Sequence, residues 1–138
     1  PAASLGNTAS IDQFATALLE MLGLPVTPEN LKFMEAWQKA EGGGVGAHDG
    51  DAAFNPFNTT EDWNGATSIN SVGVKSYKSL QDGLNATAKV MTNGYYGPIL
   101  AALKKGNSAM ADAEAVAQTP WGTGALVEKV LKSEGVTS

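Results

Sequence analysis

The sequence predicts an α+β domain that is predominantly helical and has a small β-hairpin region. Apolar residues recur at helical spacing over most of the chain. Residues 54–77 differ, because short β-branched runs there lie among asparagine, threonine and glycine. Hydrophobic residues make up 43% of the 138 residues and charged residues 17%, a composition that folds around a core. We therefore expect a single domain over residues 10–138, preceded by a linker or N-terminal extension over residues 1–9.

Two helices are predicted in the first third of the chain. The first begins at Ser10, a good N-cap, and runs to Leu22. The second follows Thr27, another capping residue, has Pro28 in its first turn and ends at Glu41. Its apolar side chains gather on one side when placed at 100° per residue. They are Leu31, Phe33, Met34, Trp37 and Ala40.

A glycine-rich loop follows over residues 42–53, which have neither helical nor strand periodicity. Its acidic residues invite comparison with a calcium-binding loop. That template fails because Ala53 stands at a ligand position, Phe54 replaces the required glycine and Glu61 comes one place too late. We therefore predict no metal site and no cofactor, and we expect the only histidine, His48, to be exposed.

Four more helices are predicted after the hairpin region. Ser79 caps a helix through Thr92, and two shorter helices follow over residues 95–105 and 109–117. The last helix is predicted to open at Thr119-Pro120-Trp121 and to end at Gly135. Its expected buried residues are Leu126, Val127, Val130 and Leu131.

Charge and composition exclude several classes of partner. The net charge is -5, and the nine lysines and arginines form no run that could follow a phosphate backbone, so we expect no nucleic acid partner. No apolar run approaches the roughly 20 residues of a membrane helix. The absence of cysteine excludes disulfides and thiolate metal sites. Because the sequence starts at Pro1 without a methionine, we expect an excised domain or a processed product. We also expect it to be a monomeric domain of a larger chain.

Glu41 is the residue most suggestive of chemistry. It falls within the apolar sector of the second helix, at the negative end of the helix dipole. Desolvation and the dipole both disfavour the carboxylate, so we expect a raised pKa. A carboxyl group that stays protonated near neutral pH can act as a general acid. The alternative is a glutamate at a frayed helix end whose side chain bends into water.

Four segments carry a resemblance to a known superfamily. The run WQKAEGG over residues 37–43 resembles the segment of peptidoglycan N-acetylglucosaminidases and phage lysins in which the acid glutamate ends a helix. NPFNT over residues 55–59 resembles their next turn, and GVKSYKSLQDG over residues 73–83 is similar to their tyrosine-containing stretch. Thr119-Pro120-Trp121 resembles their closing segment. The order of elements resembles the lysozyme-like superfamily, especially actinobacterial phage endolysins and tail-associated lysin domains.

The resemblance implies a lysozyme-like fold and a peptidoglycan hydrolase. The expected activity is cleavage of a β-1,4 glycosidic bond in glycan strands by a muramidase, a glucosaminidase or a lytic transglycosylase, with Glu41 as general acid. The expected setting is the bacterial cell wall, reached by a phage lysin, a virion-associated hydrolase or a secreted protein. Tyr77 matches the tyrosine of the family and would orient the sugar or the glutamate; otherwise it is a core tyrosine.

A second catalytic carboxylate is harder to assign. The candidates by position are Asp49, Asp51, Glu61 and Asp62, of which Asp51 and Glu61 are our named choices. In families of this kind a single glutamate can also suffice. The substrate's own acetamido group can then assist, or the product can be an anhydro sugar. The sequence leaves these routes open.

Polar and aromatic residues near the loop are the expected substrate contacts. Asn55, Asn58 and Thr60 can exchange hydrogen bonds with N-acetyl groups, or they can only shape the turn. Trp63 can stack on a sugar face or belong to the core, where we place Trp37. The competing function is a catalytically inactive cell-wall-binding or virion structural domain on the same fold. An enzyme acting on a soluble chitin-like sugar would use the same site.

Overall fold

The computed structural model describes residues 5–47 and 52–138. In these residues the chain forms six helices, close to half of its length, and one antiparallel sheet of two strands. The α+β, predominantly helical prediction is confirmed. The elements in chain order are α1 (Ile11–Met21), α2 (Pro28–Glu41), β1 (Thr67–Ser68), β2 (Lys75–Ser76), α3 (Leu80–Met91), α4 (Gly97–Lys105), α5 (Ala109–Ala117) and α6 (Gly124–Ser133).

The helix starts follow the local capping signals. The hydroxyl groups of Ser10, Thr27 and Ser79 accept hydrogen bonds from backbone N–H groups in the first turns of α1, α2 and α3. At the other end, α2 stops at Gly42, whose φ of 76° is left-handed. None of the described helices has the length and apolar character needed to cross a membrane.

The last helix begins later than predicted. The Thr119-Pro120-Trp121 segment forms a turn, and α6 starts only at Gly124. The hydroxyl of Thr119 donates to the Val116 carbonyl at 2.8 Å, so it closes the end of α5 instead of capping a new helix. The predicted opening of the last helix at this segment is therefore wrong.

The hairpin is short. Thr67 pairs with Ser76 and Ser68 with Lys75, in antiparallel register. The side chain of Asn70 accepts a hydrogen bond from the Val74 backbone N–H at 3.1 Å and so closes the connecting turn. The predicted antiparallel hairpin is confirmed, but residues 54–66 form turns and irregular segments without strand pairing.

The core is organised around α2, which packs against α1, α5 and α6. Trp37 is fully buried, as predicted, and lies between two phenylalanines. Its ring centroid is 5.2 Å from that of Phe33 and 4.5 Å from that of Phe57, both in stacked geometry. Trp121 meets Trp37 edge-on at 4.8 Å. Through Phe57 and Trp121, this aromatic cluster packs the turn after residue 55 and the segment before α6 against α2.

The N-terminal segment is attached to α3. The backbone N–H of Leu5 donates to the Gln81 side chain at 2.8 Å, and the Asn7 side chain accepts from the Leu80 backbone N–H at 3.0 Å. These contacts favour an ordered extension over a free linker for residues 5–9.

Candidate active site

A cavity of about 310 Å³ lies where the C-terminal end of α2 meets the turn after residue 55, the hairpin and the segment before α6. It is lined by Glu41, Asn58, Thr59, Thr60, Val74, Val90, Tyr96, Pro120 and Trp121. A larger depression of about 580 Å³ runs along α1. Of the predicted site residues that the structure describes, none lines that depression, so we place the candidate site in the smaller cavity.

Glu41 is half-buried and is held from two sides. Its Oε2 accepts a hydrogen bond from the Thr123 hydroxyl at 2.7 Å. Its backbone carbonyl accepts one from the side-chain amide of Asn58. The other carboxyl oxygen, Oε1, has no hydrogen-bond partner among the described residues. One edge of the carboxyl group is therefore fixed by the protein, while the residue lines the cavity.

Burial raises the pKa of Glu41 above its ordinary value. The Thr123 hydroxyl opposes this rise by stabilising the carboxylate, and the indole N–H groups of Trp37 and Trp121 oppose it further. Neither indole makes a hydrogen bond of good geometry to Glu41: that of Trp121 donates to the Phe57 carbonyl at 3.3 Å. That of Trp37 is buried without a partner among the described residues. The direction of the shift is the one predicted from the helix pattern.

The position of Glu41 depends on a close backbone contact just beyond α2. The side chain of Gln38 donates to the Gly43 carbonyl at 2.8 Å and folds the chain back over the helix end. A Cβ atom at Gly43 would lie only 1.9 Å from the Asn55 carbonyl oxygen. Only glycine fits there, and the contact brings the turn after residue 55 next to Glu41.

Asn55 shapes this turn from inside. The residue is fully buried. Its amide nitrogen donates to the carbonyls of Thr59, at 2.9 Å, and Lys75, at 2.7 Å. Its amide oxygen accepts from the Thr59 backbone N–H at 2.9 Å. No polar atom of Asn55 remains for a ligand, so the geometry favours the turn-shaping alternative over the predicted substrate contact.

Asn58 and Thr60 do line the cavity. Asn58 has a left-handed backbone with φ of 54°, and its amide reaches back to the last carbonyl of α2. Thr60 is exposed at the rim. The binding roles of these two residues stay predictions, now with positions that permit them.

Tyr77 and Glu61 contact each other and lie outside the lining of the cavity. Tyr77 is buried, and its hydroxyl donates to the Glu61 backbone carbonyl at 2.6 Å. Burial raises its pKa above the usual range of a tyrosine. The Glu61 carboxylate forms an ion pair with Lys89 at 3.3 Å. The core alternative therefore suits Tyr77, and the carboxylate of Glu61 is engaged elsewhere.

Trp63 is half-buried outside the cavity lining, with the ammonium group of Lys89 5.8 Å from its ring centroid. Asp51, together with Asp49 and His48, lies outside the described residues. Among the described residues that line the cavity, Glu41 is the only acidic one.

Several residues at the site were not among the predicted ones, and three of them bear on its chemistry. Trp121 and Tyr96 form an aromatic wall, with ring centroids 5.1 Å apart. Burial raises the pKa of the Tyr96 phenol. Thr123 holds the carboxyl group of Glu41 although 82 positions separate them in the sequence. Trp121 was contained in one of the resembling segments, whereas no local pattern pointed to Thr123.

Comparison with protein-family models, curated proteins and solved structures finds no match for this chain. Within the described residues, no group of three or more histidine, aspartate or glutamate side chains is placed to hold a metal ion. The geometry around Glu41 and the resemblance of four segments to lysozyme-like hydrolases are therefore the two observations that bear on function.

Proposed function

We propose that this domain has a lysozyme-like fold and cleaves the β-1,4 glycosidic bond of bacterial peptidoglycan, with Glu41 as general acid. The observation that carries the proposal is the setting of Glu41: a half-buried carboxyl at a cavity, with a pKa raised by burial. A general acid must hold its proton at the working pH and lie where substrate can reach it. A glutamate turned into water with no cavity beside it would have favoured a binding domain.

In the proposed reaction, Glu41 donates its proton to the glycosidic oxygen that leaves. The bond between that oxygen and the anomeric carbon breaks, and its electron pair goes to the departing oxygen. Positive charge develops on the sugar ring as an oxocarbenium-like centre. Glu41 then stands as a carboxylate. In the second step it can accept the proton of the attacking water or sugar hydroxyl group as the oxygen of that group bonds to the anomeric carbon.

The oxocarbenium-like centre can be stabilised or captured in three ways. A second carboxylate can act as nucleophile or base, and Asp51 remains our candidate outside the described residues. The acetamido group of the substrate can take that role. In a lytic transglycosylase, a hydroxyl group of the same sugar attacks and gives an anhydro product. The chemical form of the products distinguishes hydrolysis from transglycosylation.

The lining of the cavity suits an amphipathic sugar. Asn58, Thr59 and Thr60 provide polar groups, while Tyr96 and Trp121 provide aromatic surface. Sugar rings have polar edges and an apolar face, so they use both kinds of wall. The volume of about 310 Å³ is close to the lower end of the range for small-ligand sites.

The proposed setting is a phage lysin or a virion-associated cell-wall hydrolase. The net charge of -5 gives no attraction to an anionic wall. Binding to the wall would therefore depend on contacts in the cavity or on other domains of the parent protein.

The test is digestion of purified peptidoglycan by the parent domain, Glu41→Gln and Glu35→Gln, with mass spectrometry of the released fragments. Glu35 is a matched control: it lies on the same helix and is also half-buried, and its pKa is raised by the neighbouring Asp12 carboxyl and by burial. It does not line the cavity. We expect fragments from the parent and from Glu35→Gln, and none from Glu41→Gln.

Two outcomes would contradict the proposal. Equal release by the parent and Glu41→Gln would remove Glu41 from the chemistry. If no variant released fragments and all pelleted with the walls, the inactive cell-wall-binding or virion structural alternative would replace the enzyme.

A further inference from the structure

The start of α6 lacks the cap that its sequence could supply. Thr123 occupies the N-cap position, and threonine is a preferred capping residue. Its side chain nevertheless makes no hydrogen bond to the first turn of α6, in contrast to Ser10, Thr27 and Ser79 at their helices. The Thr123 hydroxyl donates to Oε2 of Glu41 instead. The Thr123 backbone, with φ of -96° and ψ of 9°, lies outside the extended region of the three capping residues, and its hydroxyl is directed to the candidate catalytic carboxyl.

We propose that Thr123 is a positioning residue for Glu41, whose hydroxyl holds Oε2 so that Oε1 carries the acidic proton. The inference rests on the proposed function. A hydroxyl donor bound to Oε2 disfavours a proton on that oxygen, because the carbonyl oxygen of a carboxylic acid accepts a hydrogen bond more strongly than its hydroxyl oxygen does. The proton is therefore placed on the oxygen that has no partner among the described residues.

The same contact supports the carboxylate that forms when the proton leaves. Hydrogen bonds to a charged acceptor are stronger than bonds to a neutral one, so the Thr123 bond tightens as Glu41 loses its proton to the glycosidic oxygen. The bond also places Oε2 beside the N-terminal end of α6, where the helix dipole favours negative charge. Both effects are larger in the transition state than in the ground state, which is the condition for a contribution to rate.

Thr123 is not among the residues that line the cavity. Its substitution should therefore change the acid without changing the contacts to substrate. A positioning role predicts that substitution of Thr123 lowers kcat and leaves KM the same, whereas a binding role predicts a change in KM.

The test compares Thr123→Val, which keeps the shape and removes the hydroxyl, with Thr123→Ser, which keeps the hydroxyl. Thr87→Val is the matched control, since the buried Thr87 hydroxyl donates only to the Gly83 carbonyl in its own helix. The measurements are kcat and KM on solubilised peptidoglycan glycan strands across pH. A carbon-13 NMR titration of the Glu41 carboxyl follows its pKa directly.

We expect Thr123→Val to lower kcat about 10- to 100-fold, the range for a lost hydrogen bond to a charged group, with KM unchanged. The pKa of Glu41 should rise further in this variant, because the donor that opposes the effect of burial is gone. The alkaline limb of the pH–rate profile should move upward with it. Thr123→Ser should restore both the rate and the pKa, and Thr87→Val should match the parent.

The inference is overturned if Thr123→Val leaves kcat and the Glu41 titration unchanged. It is also overturned if kcat falls with an unmoved titration and serine gives no rescue, since that pattern reports structural damage. If the parent domain leaves peptidoglycan intact, the proposed function fails and the catalytic role of Thr123 fails with it. The titration then still reports whether the Thr123 hydroxyl controls the pKa of the Glu41 carboxyl. Failure of the proposed function is therefore distinguished from failure of the Thr123–Glu41 contact.

Discussion

Two carboxyl groups illustrate what burial does to a single residue in this domain. Glu41 lines a cavity and keeps a hydrogen-bond donor beside it, whereas Asp112 is fully buried with neither oxygen bonded among the described residues. Burial raises the pKa of both. Since a folded state that favours the protonated form loses stability as pH rises, each group leaves a signature in the free energy of unfolding.

The raised pKa of Glu41 makes a prediction about stability. The contribution of protonated Glu41 to the free energy of unfolding is fully present below the pKa of an unfolded glutamate. It is lost as pH rises through the pKa of Glu41 in the folded state. Replacement by glutamine removes this loss. We expect Glu41→Gln to gain free energy of unfolding relative to the parent between pH 4 and pH 8, measured by urea denaturation. A relative loss over that interval would show that the carboxylate is stabilised by the fold.

For Asp112 we expect a larger effect of pH on the free energy of unfolding. Burial, with a smaller effect from the charge of Glu29, raises its pKa from 3.8 to about 7. The corresponding loss of stability develops between these two values and is on the order of 4 kcal/mol. We expect Asp112→Asn to remove most of this pH dependence. The control is Glu114→Gln, which changes an exposed residue of the same helix. Parallel pH curves for Asp112→Asn and the parent would contradict the assignment.

The helices and turns show which parts of the structure are readable from local sequence. The caps Ser10, Thr27 and Ser79 act within one turn, so their helices were predicted to within a residue or two. The segment before α6 carried the same kind of signal, but the Thr119 hydroxyl bonds backward to α5. A local pattern cannot distinguish these two directions.

The residues of the candidate site also fall into two groups, those that local sequence identifies and those that only the folded structure brings together. Glu41 could be found because its apolar environment begins on its own helix. Thr123 could not, because its contact joins residues 82 positions apart. The alternatives for Asn55 and Tyr77 depended on burial, which only packing decides.

The turn after α2 leaves no room for a side chain at Gly43, so substitution there should destabilise the fold. A methyl group at Gly43 would collide with the backbone of Asn55 and Pro56, at 1.9 and 2.6 Å from their carbonyl oxygens. We expect Gly43→Ala to lower the free energy of unfolding by roughly 2 kcal/mol or more and to reduce peptidoglycan digestion. Gly97→Ala is the control, because a Cβ atom there meets nothing within 4 Å. Equal unfolding curves for the two variants would mean that the turn can shift at no cost.

The whole molecule is acidic, so it has no electrostatic attraction to an anionic surface such as a bacterial wall. Its net charge is -5, and its three ion pairs among the described residues include exposed or half-buried partners. Such pairs contribute little to stability. The long-range field of the domain therefore matters mainly for its approach to charged partners.

This charge makes a prediction about ionic strength. If both the domain and the wall are anionic, salt screens their repulsion. We expect digestion of intact walls to accelerate between about 0.05 and 0.2 M salt, over which the Debye length shortens markedly. Walls stripped of their anionic polymers should show a smaller effect. Slower digestion of intact walls with added salt would indicate an attractive, cationic contact surface instead.

The distance in sequence between Glu41 and Thr123 also has a consequence for biosynthesis. A ribosome releases α2 well before it releases the segment that precedes α6, so the acid lacks its partner while most of the domain is being made. The carboxyl group acquires its final environment only when α6 docks against α2. Synthesis of α6 is therefore required before the proposed catalytic acid can be assembled.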